Sequence, residues 1–400
     1  MEIERHNKLP SIYVLLYALA WAGGTVAYTP FITVLLPAKI SLIAGVDTGI
    51  VWTAYITIFG AIAASMSAIL FGYLSDITLN RPIWICIGLA LACALLIATS
   101  AINTFTSLLT LIIFWQFALN MMLAPLAAYA ADNIPDGQKG FLGGLLAFAP
   151  GIGALSATIV TYPGLASAQG RLFLVCAIVI VLILPVVFWG RKFNFEKLKL
   201  APKNGSGSTS LRSIAIKMWF ARLAIQISEA ALFSYLYFWL KSIDPSISDS
   251  QTARIFTIAM VLSAPLALIT GRWADRSSRP IFLLAILGAV ASLSLLSMAL
   301  SPNTTFALFS YGVFGTISSA FLALHTAQTL SILPTPERRG RDLGIFNLTN
   351  TLPSIILPVI TLALVPRFGF TTLFIVLSFL AASGSLVLLS VKIARDETSG

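Results

Sequence analysis

The 400-residue chain is 58% hydrophobic and only 10% charged, with a mean hydropathy of +0.92. A soluble globular domain carries about 25% charged residues, so this composition excludes a soluble protein and indicates one that lies in lipid. The net charge of +10 would favour a nucleic-acid partner only in a soluble protein. In a membrane protein the placement of that charge sets the topology, and we expect no nucleic-acid partner.

Long apolar runs recur along the chain, and about 20 helical residues cross a bilayer core. They predict an all-α integral membrane protein with twelve transmembrane helices in two pseudo-symmetric six-helix halves. The predicted spans 1 to 12 are roughly 10–37, 48–73, 83–101, 104–131, 138–162, 170–190, 213–240, 248–271, 281–300, 304–332, 341–366 and 370–391. The halves are predicted at 1–190 and 213–400, with a cytoplasmic linker at 191–212 whose Gly/Ser run is flexible.

The basic residues are distributed unevenly between the two sides of these spans. Of the 25 Lys and Arg, 19 fall in the terminal tails and the loops that follow even-numbered spans, five fall on the other side, and Arg222 lies inside a span. Because basic residues collect on the cytoplasmic side, both termini are predicted to be cytoplasmic. We interpret the basic clusters as a topology signal in a multi-pass plasma-membrane protein, at the inner membrane in a bacterium.

Span 1 carries Trp21, Thr25 and Tyr28 as a stripe on one helical face, beside Gly23 and Gly24. A stripe of aromatic and hydroxyl groups suits the wall of a cavity. Ordinary helix packing around small residues would give the same pattern, so both interpretations stand.

The loop after span 2 carries a motif that returns in the second half. Residues 72–82 read Gly-Tyr-Leu-Ser-Asp-Ile-Thr-Leu-Asn-Arg-Pro, and 199 positions later residues 271–280 read Gly-Arg-Trp-Ala-Asp-Arg-Ser-Ser-Arg-Pro. A repeat at half the chain length indicates two related halves. In each copy a glycine permits close approach of helix ends, and an acid four residues later can meet a helix N-terminus. The candidate conformational latch comprises Gly72, Asp76, Arg81, Gly271, Asp275, Arg276 and Arg279.

This motif resembles the loop between the second and third helices of the major facilitator superfamily, written G-x-L-a-D-r-x-G-r-R. The resemblance implies two halves that rock to expose a central site to alternate sides, with spans 1, 4, 7 and 10 lining the cavity. We also predict that Asp76 and Asp275 act as latches, each near the N-terminus of a helix in the partner loop, at residues 340–341 and 139–140 respectively. We therefore expect a monomer whose partners are a small-molecule solute and the lipid bilayer, with a proton gradient in place of any cofactor.

Spans 4 and 5 carry further polar and helix-breaking residues. Gln116 and Asn120 share one face of span 4, and such amides hydrogen-bond either to a neighbouring helix or to a bound solute. In span 5, residues 149–154 partly resemble the glycine-proline motif of facilitator antiporters. We expect there a kinked, closely packed helix.

Span 7 brings Arg222, Gln226 and Glu229 to one face. Glu229 lies about 18 Å deep at about 1.5 Å per residue. A carboxylate at that depth is costly if it faces lipid, so it faces the protein interior or a wet cavity. Glu229 either forms a structural ion pair with Arg222 or another base, or serves as a substrate or proton site, and we predict it as the proton-coupling or solute-gripping group.

Spans 10 and 11 complete the candidate site. Span 10 holds His325 and Gln328, and a lone intramembrane histidine is either a packing group or a functional one. The string from Gly344 to Pro353, which contains Asn347, resembles the same helix in the sucrose-type and related sugar-carrier branch of the facilitators. The candidate substrate-binding residues are Trp21, Tyr28, Gln116, Asn120, Arg222, Gln226, Glu229, His325, Gln328 and Asn347.

Aromatic faces, amides and one carboxylate suit a neutral polyhydroxyl solute, which predicts a proton-coupled sugar or glycoside carrier. The same groups suit a cationic amphipathic drug, which predicts a proton-driven multidrug or metabolite efflux antiporter. The spans contain no nucleophile elbow, phosphate loop or paired carboxylates, and the three cysteines show no metal or disulfide spacing. We therefore expect no enzyme and no metal, and a membrane-embedded enzyme or receptor is the third alternative.

Overall fold

The computed structural model describes residues 9–189, 209–276, 279–332 and 348–391, and for a few residues within these ranges, among them 139–140 and 275–276, the backbone alone. Every regular element in these ranges is helical. The helices are α1 Ser11–Pro30, α2 Leu36–Thr78, α3 Arg81–Ala98, α4 Phe105–Asn133, α5 Asp136–Leu146, α6 Ala149–Val160, α7 Ala168–Trp189, α8 Thr209–Ile243, α9 Asp249–Arg276, α10 Pro280–Ala299, α11 Thr304–Ile332 and α12 Pro353–Leu389. A π-helical turn, Phe31–Leu35, joins α1 to α2, and a 3-10 turn, Thr99–Ala101, follows α3.

Within the described ranges, ten helical stretches are long and apolar enough to cross a membrane. Two of them, Ser11–Thr78 and Leu348–Leu389, each contain two predicted spans. Each is broken by a glycine, Gly45 with φ +76° and Gly369 with φ +72°, a backbone conformation that a side chain would strain. The predicted all-α membrane fold is confirmed.

Two predicted spans differ in detail from the structure. The helix of span 1 continues past residue 37 to the break at Gly45, where the sequence predicted a loop. Span 5 is divided into α5 and α6 by a turn at 147–148, with Pro150 in the first turn of α6. Proline fits there because the first helical N–H groups need no intrahelical acceptor, so the expected kink is confirmed.

The contacts divide the chain into two compact units. Unit 1 contains residues 9–189 and 233–258 of the described ranges, and unit 2 contains the others. In unit 1, α1 packs against α6 and α7, and α4 packs against α2 and α3. In unit 2, α10 packs against both α11 and α12. The predicted division at the linker 191–212, of which residues 191–208 lie outside the described residues, stays a prediction.

Small and hydroxyl residues allow the helices to approach closely. A Cβ added at Gly88 of α3 would lie 2.5 Å from the backbone nitrogen of Met122 in α4. A Cβ added at Gly153 of α6 would lie 2.9 Å from the Thr29 hydroxyl of α1. In unit 2 the Ser385 hydroxyl donates to the Ala285 carbonyl at 2.6 Å. Such contacts replace the hydrophobic effect as the source of helix association in lipid.

Candidate functional site

A polar cluster on unit 2 is centred on Arg222 of α8. Its Nε donates to the Gln226 side-chain oxygen at 3.2 Å and to the Thr349 hydroxyl at 3.1 Å. Its Nη1 donates to the Thr326 hydroxyl at 2.8 Å, and its Nη2 lies 3.5 Å from the Asn350 side-chain oxygen. Gln226 donates to the same Asn350 oxygen at 2.6 Å. These five residues, here called the Arg222 cluster, connect α8, α11 and the short helical segment 348–351 that precedes α12.

The Arg222 cluster is both deep in the span and open to its surroundings. Arg222 and Gln226 lie in the first half of the membrane span Ser213–Ile243 and are half-buried, whereas Thr326 and Asn350 are exposed. Every described partner of Arg222 is neutral, and no described carboxylate lies within 4.0 Å of its guanidinium. The cluster can therefore offer a positive charge, hydroxyls and amides to a solute.

Glu229 lies on the same face of α8 as Arg222 and is half-buried. The two charges are close enough to interact, but the direct ion pair, one of the two predicted roles, does not form in this structure. The neighbours of Glu229 on α11 are Ser319 and Tyr311. Its carboxylate therefore lies near hydroxyl groups of α11, at the middle of the span Ser213–Ile243.

His325 of α11 is fully buried and ties α11 to α8. Its Nε2 lies 2.9 Å from the Met218 carbonyl oxygen, and because a carbonyl only accepts, Nε2 carries the hydrogen. Its Nδ1 lies 3.1 Å from the Thr329 hydroxyl. These contacts favour the packing interpretation of the histidine. Gln328, the other predicted residue of span 10, is half-buried one turn further on.

Asn347 lies outside the described residues. Three members of the cluster, Thr326, Thr349 and Asn350, were not among the predicted site residues. Asn350 was visible three positions after Asn347, so a search for polar residues at helical spacing along span 11 would have found it.

The predicted site residues of unit 1 lie on α1 and α4. Tyr28 packs against Phe233 with ring centroids 6.5 Å apart, and Trp21 is half-buried. The Asn120 amide donates to the Gln116 carbonyl in its own helix at 2.9 Å. The predicted alternatives for Asn120 were a neighbouring helix or a solute, and the structure shows a third arrangement. Side-chain amides compete in this way for nearby backbone groups.

The first copy of the candidate latch centres on Arg81 at the start of α3. Its guanidinium contacts the Asp76 carboxylate at 2.9 Å, the Asp132 carboxylate at 2.7 Å and the Ser75 hydroxyl at 3.0 Å. The Arg81 side chain is 15% exposed, whereas the two acids are more than half exposed. This network joins the ends of α2 and α4 to the start of α3, and the sequence did not predict the part of Asp132.

Other latch predictions fall partly outside the described residues. Residues 340–341 are not described, and the side chains of Asp275, Arg276 and residues 139–140 are not described either, so both predicted latch contacts stay predictions. Gly72 and Gly271 lie inside α2 and α9, and a Cβ at either would meet no described atom within 4 Å. Arg279 directly precedes α10.

The segment 233–258 of unit 1 is held by a second set of polar contacts. Arg171 of α7 forms a 3.0 Å ion pair with Asp249 at the start of α9. The Thr257 hydroxyl lies 2.7 Å from the Ala154 carbonyl of α6. Ala253 is fully buried between these contacts. These contacts attach the segment 233–258 to α6 and α7 within unit 1.

Comparisons with known proteins agree with this architecture. Residues 218–399 match the model of the family described as Major Facilitator Superfamily. Two solved structures of a bacterial homologue of the human lysosomal transporter Spinster match nearly the whole chain at 13% identity. The inward-facing unoccupied form has a TM-score of 0.70 and covers 96% of this chain and 98% of its own. The inward-facing occupied form has a TM-score of 0.68 and covers 95% and 94%.

A search of curated protein sequences gave no match. At 13% identity the two structures show the fold alone. Residues 218–399 are therefore similar to the Major Facilitator Superfamily, and the chain as a whole is a multi-pass membrane protein with the fold of that superfamily.

Proposed function

We propose that the protein is a secondary active transporter that moves a small hydroxylated solute, a sugar or glycoside, by alternating access coupled to protons. It works in the plasma membrane with both termini in the cytoplasm. The observation that carries the proposal is the Arg222 cluster, which places five polar side chains from three segments of unit 2 together in a membrane span. Polar groups at that depth are costly and usually mark a solute or ion path.

The chemistry of the cluster supports a hydroxylated solute. Gln226 and Asn350 have amide groups that both donate and accept hydrogen bonds, and Thr326 adds an exposed hydroxyl. Solute hydroxyls can replace the hydrogen bonds that these groups make with one another or with water. A purely apolar solute would leave them without that replacement.

Glu229 is the proposed proton-coupling group. A charged acid at the centre of a span costs about 2.5–3.5 kcal/mol on membrane-insertion scales. Gain or loss of a proton there therefore has a large effect on the free energy of the conformational state that holds it. Arg222 from the same helix and Ser319 and Tyr311 from α11 are close enough to interact with the carboxylate.

The test uses purified protein in liposomes, with uptake of labelled disaccharides and of cationic dyes measured with and without a proton gradient. We expect the parent to concentrate a hydroxylated solute in response to the gradient. Glu229→Gln keeps the shape and hydrogen-bonding reach but removes titration, so it should exchange solute without concentrating it. Asp244→Asn, which removes an acid just outside the same span, is the matched control and should behave as the parent.

Accumulation of the dyes in place of sugars would favour the efflux antiporter. Concentration of solute by Glu229→Gln at the parent's level would remove Glu229 as the coupling group. Accumulation of no hydroxylated solute and of no dye would contradict the proposal.

A further inference from the structure

We infer that the Arg222 cluster binds a hydroxylated organic acid such as a sugar acid, and that the Arg222 guanidinium holds the single carboxylate of that solute. The inference rests on the proposed function and names the substrate class of the same site.

The first argument is the number of donors on Arg222. A guanidinium carries five N–H donors, one on Nε and two on each terminal nitrogen. The Nε hydrogen is shared between Gln226 and Thr349, one Nη1 hydrogen serves Thr326, and one Nη2 hydrogen points to Asn350 at the long distance of 3.5 Å. One N–H on each terminal nitrogen therefore has no acceptor among the described residues. A carboxylate accepts two parallel N–H groups from a guanidinium, so the donors left over match it.

The second argument is charge. Arg222 is half-buried in a membrane span, its described partners are all neutral, and no described carboxylate lies within ion-pair distance. A charge that is partly removed from water is stabilised far better by an opposite charge than by neutral dipoles. A neutral sugar would cover the guanidinium without compensating its charge, whereas a carboxylate would do both.

The third argument separates a carboxylate from a phosphate. A phosphate monoester carries about −1.5 to −2 charges at neutral pH, more than one guanidinium balances. Lys217, the base nearest to Arg222 along α8, is near the helix start and donates to the Ser390 carbonyl at 3.1 Å. The excess negative charge of a phosphate would also lie near Glu229. The cluster therefore matches a monoanion.

The arrangement also links the acid to the proton. The groups that face Glu229 are Arg222 from its own helix and Ser319 and Tyr311 from α11. His325, the other titratable side chain near Arg222, has both ring nitrogens in contact with partners. An ionised Glu229 competes with the solute for the positive charge of Arg222, whereas a protonated Glu229 leaves that charge to the solute. The anionic solute and the proton on Glu229 should therefore bind together.

The experiment compares matched acid and neutral probes on the full-length protein. Binding is measured by intrinsic tryptophan fluorescence, and transport is measured in liposomes, for the pairs glucuronate with glucose, gluconate with glucitol and lactobionate with lactose. We expect the acid of at least one pair to bind about 10- to 100-fold more tightly than its neutral partner, the usual gain from a hydrogen bond to a charged group. Glucose 6-phosphate should bind more weakly than glucuronate.

Three variants locate the effect. Arg222→Gln should lose the acid preference while keeping the neutral affinity, and Arg222→Lys should keep part of the preference. Glu229→Gln, which mimics the protonated acid, should bind the acid at least as tightly as the parent. Arg272→Gln removes an exposed arginine elsewhere on unit 2 and should change nothing.

Several outcomes would overturn the inference: equal or stronger binding of the neutral partner in every pair, strongest binding of the phosphate, or an acid preference that survives Arg222→Gln. Transport of neutral sugars without any preference for the acid would contradict this inference but would agree with the proposed transport function. Acid binding that depends on Arg222 without any transport would support the inference and contradict the proposed function. The acid preference of the parent is measured without any variant, so a failure of Arg222→Gln to fold does not block the test.

Discussion

The ion pair between Arg171 and Asp249 offers a quantitative test of how the segment 233–258 is held within unit 1. We expect Asp249→Asn to loosen that segment from α6 and α7, because the change keeps the side-chain shape but removes one of the two charges. The pair is 3.0 Å long, and its side chains are 22% and 31% exposed.

The magnitude follows from this intermediate exposure. A buried hydrogen bond between charged groups contributes about 1.5–3 kcal/mol, and an exposed ion pair contributes about 0.2–1 kcal/mol. The value here should lie between them, at about 1 kcal/mol. Because about 1.4 kcal/mol is a factor of ten, the loosened population should rise about fivefold.

The assay is the labelling rate of a buried reporter. Ala253 is completely buried, with an exposed fraction of 0%, and it packs with Val34 and Ala157. A cysteine at this position is therefore accessible from neither side of the membrane. Ala253→Cys, in a background without the native Cys86, Cys93 and Cys176, should react with a membrane-impermeant maleimide only when the segment moves away. Asp249→Asn should raise that rate about fivefold, the factor expected from the lost charge.

The matched control is Asp244→Asn, a few residues earlier in the same loop. The Ser246 hydroxyl donates to Asp244 at 2.6 Å and holds the pKa of that carboxyl below its ordinary value. Because the hydrogen bonds of Asp244 stay within its own turn, its loss should not change the labelling rate. An unchanged rate in Asp249→Asn, or an equal rise in both variants, would refute the reasoning.

Two further predictions concern unit 1. Asp76→Asn should shift the balance of inward and outward states by about 1 kcal/mol at most, because the Asp76 side chain is 63% exposed in its pair with Arg81, and solute binding should persist. The balance is measured by cysteine accessibility from each side of the membrane. Loss of binding with an unchanged balance would contradict the latch. Gly88→Ala should destabilise the protein in detergent by about 1–3 kcal/mol, since the new Cβ would meet backbone at 2.5 Å, whereas Gly143→Ala has no neighbour within 4 Å and serves as control. Equal melting temperatures for the two glycine variants would show that α3 and α4 separate without cost.

The sequence by itself determined the features that depend on neighbouring residues. Apolar runs long enough to cross a bilayer gave the spans, because a helix satisfies all its backbone groups within its own segment. Helical periodicity placed Arg222, Gln226 and Glu229 on one face, because residues four and seven apart lie above one another on any α-helix. The repeated loop motif predicts two related halves for a similar reason, since a repeat is visible without any knowledge of contacts.

Only the tertiary structure decided which distant groups meet. Arg222 contacts Thr326 and Thr349, which follow it by 104 and 127 residues, and no local pattern specifies such a pairing. Asp132 joins Arg81 across 51 residues for the same reason. These contacts depend on how closely the helices pack, and that distance is set by small residues such as Gly88 and Gly384 meeting the backbone or side chains of another helix. Helix packing in lipid is a property of facing surfaces, so the polar partners of a deep charge emerge only when those surfaces are assembled.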